Sequence, residues 1–207
     1  TLELYKERGW PYYGGGANID EARAPLLIEH NGNKIAFIGC NGKGGGYASA
    51  DVDYPGAGEC DYDLMETQVR DLVAQGYLVI ATFQHNEVYT FIPQPTLTRD
   101  FGRISAAGAT IVSGSQAHQS HGMEFPRSDA IITYGLGNTF FDQRGVVDFG
   151  DRALITRSVF YDGKYLSTEV FTIMFVDFAK PRFMTAEERA DFLTLIFNAS
   201  IWDYPTE

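Results

Sequence analysis

Residues 76–87, Gly76-Tyr77-Leu78-Val79-Ile80-Ala81-Thr82-Phe83-Gln84-His85-Asn86-Glu87, decide the fold. A glycine that ends a helix is followed by a short run, apolar throughout, as a strand covered on both faces would be. The run then breaks into four polar residues, the pattern of a strand that delivers chemistry at its carboxyl end. Upstream, Met65, Val69, Leu72 and Val73 recur at helical spacing behind Asp63-Leu64-Met65-Glu66, which reads as a capping box led by Asp63. The unit then repeats in form. Thr96 stands as cap to a helix carrying Leu97, Phe101 and Ile104 and ending at Gly108, with a strand at 109–113 and another at 130–134. Before the first helix, 25–29 and 34–39 form a hairpin across Asn31-Gly32. After the last of these strands, 153–161 and 165–176 form a second across Asp162-Gly163. A helix over 185–198 closes the chain, with Ala186, Ala190, Leu193 and Phe197 on one face. The reading is a single α/β domain over 1–207, a strand–helix core followed by antiparallel strands and a helix.

Composition bounds the function. The 207 residues carry 16 Lys plus Arg against 27 Asp plus Glu, a net charge of −11 that argues against nucleic-acid binding, because phosphate contacts need clustered cations. Hydrophobic residues make up 44% and charged residues 21%, the balance of a folded chain. No apolar run approaches the ~18 residues of a membrane span. The opening residues 2–9 read as the last turns of a helix, so the chain reads as a fragment or a processed product. Cys40 and Cys60 bracket a glycine-rich loop, 41–58, which lacks the ending of a phosphate-binding loop. Two free thiols and a disulfide are both open; a disulfide would favour an extracytoplasmic location.

Three of the four histidines lie in loops that follow strands: His85, then His118 and His121, with His30 in a hairpin. Adjacent strands lie only ~4.8 Å apart, so three such loops can bring side chains to one ion. His85 offers a neutral imidazole, or a hydrogen-bonded strand cap. Glu87 offers a general base, a metal ligand or a solvated carboxylate. Gln116 and His118 share a loop in which Gly114 would let the backbone approach a ligand. The amide oxygen of Gln116 suits Mg²⁺, Mn²⁺ or Ca²⁺ better than tight zinc binding. Asn138, between Gly135-Leu136-Gly137 and the chain beyond, can ligate, position substrate or satisfy its own backbone. Asp142 can contact substrate or pair with Arg144 or Arg152. The aromatic residues of 159–178 read as sheet packing.

These segments resemble the C-terminal half of the bacterial poly-γ-glutamate capsule-biosynthesis (CapA-like) family, a branch of the calcineurin-like metallophosphoesterases. The likeness runs in order through Tyr13-Gly14-Gly15-Gly16-Ala17-Asn18 and Glu21-Ala22-Arg23-Ala24-Pro25, then Gln84-His85-Asn86-Glu87, then Gly114-Ser115-Gln116-Ala117-His118, then Tyr134-Gly135-Leu136-Gly137-Asn138 with Phe141-Asp142. It spans residues 1–143. It implies a four-layer α/β/β/α sandwich, of which this chain supplies the C-terminal half plus an antiparallel hairpin and terminal helix, the N-terminal half of the same protein being absent from this chain. It implies a divalent metal (Mn, Mg, Zn or Ca) held by His85, Gln116 and His118, with His85, Glu87 and Asn138 catalytic and Tyr134, Asn138 and Asp142 touching substrate. Ser115 and Gln116 stand where the family carries histidines, and Glu87 follows His85 by two residues where the family has four. The implied activity is metal-dependent hydrolysis of a phosphoester or an amide-linked, anionic extracellular polymer at the cell surface or outside the cell. The alternative is a non-catalytic surface component that binds or organises a capsule polymer.

Overall fold

The computed structural model describes residues 1–43, 46–141, 147–177 and 180–202. The first part of the chain runs α1 (Leu2–Arg8), β1 (Gly15–Gly16), α2 (Ile19–Arg23), β2 (Leu26–His30), β3 (Asn33–Asn41), β4 (Gly56–Ala57), α3 (Tyr62–Ala74), β5 (Leu78–Gln84) and α4 (Pro95–Ala106). It continues with β6 (Ile111–Ser115), β7 (Met123–Arg127), β8 (Ala130–Thr133), β9 (Arg152–Tyr161), β10 (Lys164–Val176), β11 (Lys180–Phe183) and α5 (Ala186–Asn198). The architecture is mixed α/β, as expected from the alternation of patterns.

The larger sheet has the order β2-β3-β5-β6-β8-β7. Its four inner strands are parallel, and β2 and β7 are antiparallel edges. The parallel strands are laid down successively in one direction. Right-handed crossovers that always step the same way put their helices on the same face, and α3 and α4 do pack together there. Met65, Val69, Leu72, Leu97, Phe101 and Ile104 from these helices meet Ala36, Ile38, Val79, Ala81, Phe83, Val112 and Ile132 from the sheet, forming the main core.

One consequence corrects the reading of 77–83 as covered on both faces. β5 alternates: Val79, Ala81 and Phe83 are buried under the helices, while Leu78, Ile80 and Thr82 on the other face are only half-buried. Ile35, Phe37 and Ile111 share that half-open face.

The second sheet has the order β11-β10-β9 and is antiparallel throughout. β9 starts at the carboxyl edge of the larger sheet, where Leu154 donates its N–H to Leu136 at 2.8 Å. The far turn of its hairpin reaches the opposite end of the molecule, where Gly163 donates to Asn33 Oδ1 at 2.9 Å. A second cluster joins this sheet to α5: Met123, Leu154, Phe192 and Ile196 are buried together.

Local signals explain most element ends, and several differ from the sequence reading. The cap of α3 is Asp61, whose side chain accepts from Leu64 N–H, rather than Asp63. α4 starts at Pro95, a residue suited to the first helical position, with no side-chain cap from Thr96. Thr185 and Glu188 form a reciprocal capping box on α5, but the buried stripe of that helix is Phe192 and Ile196, not Ala186, Ala190 and Phe197. Cys40 and Cys60 are joined in a disulfide across the loop between β3 and α3.

Candidate functional site

Loops leave the carboxyl ends of β5, β6 and β8 side by side, and the polar residues singled out in the sequence lie in them. They divide into two groups on opposite faces of the sheet.

The group around His118 gathers. His118 Nε2 lies 3.5 Å from Glu87 Oε1. On the other side of the ring, Nδ1 lies 2.8 Å from Asn138 Oδ1, and Asn138 Nδ2 donates to Gly150 O at 2.9 Å. Since the amide nitrogen is committed to a carbonyl, the amide oxygen must accept. That fixes the His118 proton on Nδ1 and leaves the lone pair of the neutral ring on Nε2, facing Glu87. Asn138 is itself buried, on a turn that the preceding Gly137 enters with φ +78. A Cβ at Gly137 would sit 2.6 Å from Ser120 Oγ. Phe141 stacks on the His118 ring, centroids 4.9 Å apart, and Tyr89 donates its hydroxyl to Glu87.

Gln116 sits beside this group in an unusual backbone state, φ +82, outside the comfortable range of a residue with a long side chain. Its amide oxygen accepts from Gln84 Nε2. Gly114, expected to let the backbone approach a ligand, makes its close approach to protein instead. A Cβ there would lie 2.2 Å from Tyr134 O and 2.9 Å from the Phe101 ring, so β6 needs glycine to lie against β8 and α4.

His85 belongs to the other face. It continues the parity of Phe83 and turns toward α4, where its ring packs edge-on against Phe101, and its Nε2 donates to Asp100 Oδ2 at 2.9 Å. Arg99 Nε donates to the other Asp100 oxygen at 2.6 Å. Burial works to raise the Asp100 pKa, but the hydrogen bonds from Arg99 and His85 outweigh it and hold the carboxyl below its usual range. His85 Nδ1 is buried and without a partner. The structure thus pairs His85 with Asp100, and no described contact joins it to Gln116 or His118. Among the described residues, no group of three or more His, Cys, Asp or Glu could hold a metal ion.

Tyr134 is placed in the core rather than at the substrate. It is 1% exposed, stacks on Phe101 and donates its hydroxyl to Glu124. Burial, then that carboxylate, push its hydroxyl well above the ordinary phenol range. His121 is also buried, its Nδ1 donating to Thr90 O at 2.6 Å. Asp142 lies outside the described residues.

Sequence reasoning missed Phe141 and Asp100 as partners of His118 and His85, and Tyr89 as the partner of Glu87. Tyr89 could have been found, being two residues beyond Glu87. Asp100 lies fifteen residues from His85 on a separate helix, and only the packing of α4 under β5 brings them together.

The fold and site define an α/β protein with an imidazole–carboxylate pair at the carboxyl edge of a largely parallel sheet. The chain belongs to the bacterial capsule synthesis protein family PGA_cap, whose model matches residues 1–143. A search among curated proteins finds no match to the chain. The family agrees with the CapA-like resemblance drawn from the motifs. No helix among the described residues is long and apolar enough to cross a membrane.

Proposed function

We propose that this capsule synthesis protein is a hydrolase of phosphoester or amide-linked extracellular polymer whose working pair is His118 and Glu87. The observation that carries the reading is the convergence of His118 Nε2 and Glu87 Oε1 at 3.5 Å, with Asn138 fixing the imidazole tautomer from behind.

The pair fits a divalent ion. Two ligand atoms at ~2.0–2.2 Å from a metal and a tetrahedral angle apart are separated by roughly 3.4 Å. A histidine that ligates through one nitrogen also characteristically hands its other N–H to an oxygen acceptor, as His118 does to Asn138. His118 and Glu87 would hold the ion, which when bound would lower the pKa of a coordinated water and polarise the scissile group. Asn138 keeps His118 oriented, and Tyr89 steadies the Glu87 carboxylate. Glu87 would take or return a proton through the carboxylate oxygen that does not hold the ion. The oxygen of Gln116 is already engaged and His85 turns toward α4 on the other face of the sheet, so further ligands would come from the upstream half of the protein. That half would also cover the half-open face carrying Ile35, Phe37, Leu78, Ile80 and Ile111, completing a four-layer sandwich. The disulfide supports an extracytoplasmic setting, where such bonds persist.

The engagement of Gln116 by Gln84 and the placement of His85 on the α4 face, away from His118, favour a second reading, a surface component that organises polymer without cutting it. Calorimetric titration with Mn²⁺ and a diester hydrolysis assay separate the two. The first reading expects saturable metal binding and turnover, both lost in His118→Ala. Absence of metal binding and of turnover in a protein joined to its upstream half would overturn it in favour of the second.

A further inference from the structure

The two sulfurs of the Cys40–Cys60 bond stand in different surroundings. Cys40 is 8% exposed and belongs to the main core under α3. Cys60 is only half-buried and lines an open cavity of about 430 Å³ with Arg23, Glu59 and Arg103. Access governs which sulfur exchanges first. Cys60 is therefore the sulfur that an outside thiol or disulfide reaches, and Cys40 is the one that resolves.

A relay of direct contacts runs from this bond toward His118. Beside Cys40, the Asn41 N–H donates to Gly58 O at 2.7 Å, and the Gly42 N–H donates to Gln84 O at 2.7 Å. A Cβ at Gly42 would lie 3.4 Å from that same Gln84 oxygen and 3.5 Å from Cys60 Sγ, so the disulfide packs against the junction itself. The Gln84 side chain donates in turn to Gln116 Oε1. Gln116 is held at φ +82, a backbone state that costs free energy in a residue with a side chain and persists only where its surroundings impose it. His118 follows two residues on.

We infer that forming the Cys40–Cys60 disulfide is a redox switch that sets the geometry at His118. With two thiols, Asn41, Gly42 and Gly58 are tied by hydrogen bonds alone. Gly42 then leaves Gln84, Gln116 relaxes toward an ordinary backbone state, and His118 moves with it. The oxidising step is thiol–disulfide exchange with a protein disulfide. The Cys60 thiolate attacks one sulfur of the oxidant and displaces the other as a thiolate. The Cys40 thiolate then attacks Cys60 Sγ and displaces the oxidant. Two electrons pass to the oxidant, and the two protons given up by the cysteines end on its two thiols. Such a device leaves the site unset until the chain reaches an oxidising compartment. The inference rests on the proposed function only for the activity that is switched, and its test reads geometry, not turnover.

The test is nuclear magnetic resonance of the full chain without added metal, first oxidised and then reduced by dithiothreitol under native conditions. On reduction the Gly42 amide should exchange with solvent about tenfold faster, the worth of one hydrogen bond. The Gln116 amide and the His118 ring signals should shift, while the ring of His121, tied to the Thr90 carbonyl, should not. Reoxidation with glutathione disulfide should restore the first spectrum. Gln84→Ala cuts the relay and leaves the disulfide intact, so in that variant reduction should no longer move the His118 signal. A bond that dithiothreitol opens only by unfolding the chain, a His118 ring indifferent to reduction, or a shift that survives Gln84→Ala overturns the inference. None of these outcomes touches the hydrolysis assay of the His118→Ala variant, so the two readings fail separately.

Discussion

His121 and His118 lie three residues apart and are put to different uses. His121 is 1% exposed, donates through Nδ1 to the Thr90 carbonyl and leaves Nε2 buried without a partner. Burial pushes its pKa below the ordinary 6.5, and the bond to Thr90 opposes that only in part. The unfolded chain therefore takes up this proton more readily than the folded one. Stability conferred by the neutral ring is present above the unfolded pKa and is lost as pH falls through 6.5 toward the folded value. Urea unfolding between pH 7 and 5 should show stability dropping with a slope of up to about 1.4 kcal/mol per pH unit from this group. In His121→Gln that part of the slope should vanish, whatever the variant's overall stability; an unchanged slope would assign the pH dependence elsewhere. His118 differs because both its nitrogens face side chains, Asn138 and Glu87, rather than backbone and apolar core.

At the scale of elements, the disulfide is the strongest local constraint. Cys40 is the penultimate residue of β3 and Cys60 precedes α3, so the bond closes a loop that also carries β4, paired with β1. A loop with a sequence separation of 20 is worth about 3 kcal/mol in chain entropy. Reduction, or Cys40→Ala with Cys60→Ala, should lower the calorimetric midpoint by roughly 6–12 °C for a chain of this size. A shift under a degree would mean that the loop is held by its packing alone. The same scale shows what could be read in advance. Both two-residue hairpin turns were legible because Asn31-Gly32 and Asp162-Gly163 each need positive φ at both positions, and the structure has it there. The strands and helices of the parallel unit were legible from periodicity. β7 was not, since Met123-Glu124-Phe125-Pro126-Arg127 contains a proline and no alternation. It is an edge strand, where a missing N–H is tolerated. The site was half legible. Strand-end loops marked His118, Glu87 and Asn138, but the parity that turns His85 toward α4 depends on where β5 ends, and a shift of one residue reverses the face.

For the whole molecule, the family match ends at residue 143, yet the site does not. Asn138 is held by Gly150 O, Leu136 by the N–H of Leu154, and Gly137 bridges Ala153. The later chain also provides Leu154, Phe192 and Ile196, which bury Met123 and pack against Phe91 and Leu136. Burial of three such side chains is worth ~2 kcal/mol each, about 6 kcal/mol together. That is comparable with the ~5–15 kcal/mol total stability of a typical domain. A chain ending at 143 would keep the packing of α3 and α4 on the parallel strands but lose the second cluster and the contacts that Gly150, Ala153 and Leu154 make to the 134–141 loop. Denaturant unfolding of that truncation should lose the single cooperative transition and the dye-excluding surface of the longer chain, even where far-ultraviolet dichroism retains helix. If instead it unfolds cooperatively with a midpoint close to that of the longer chain, the hairpin and α5 are accessories. The tautomer of His118 would then have to be set without Gly150. The geometry argues the opposite, because the amide nitrogen that commits Asn138 to accept from His118 is itself committed by a residue beyond the family match.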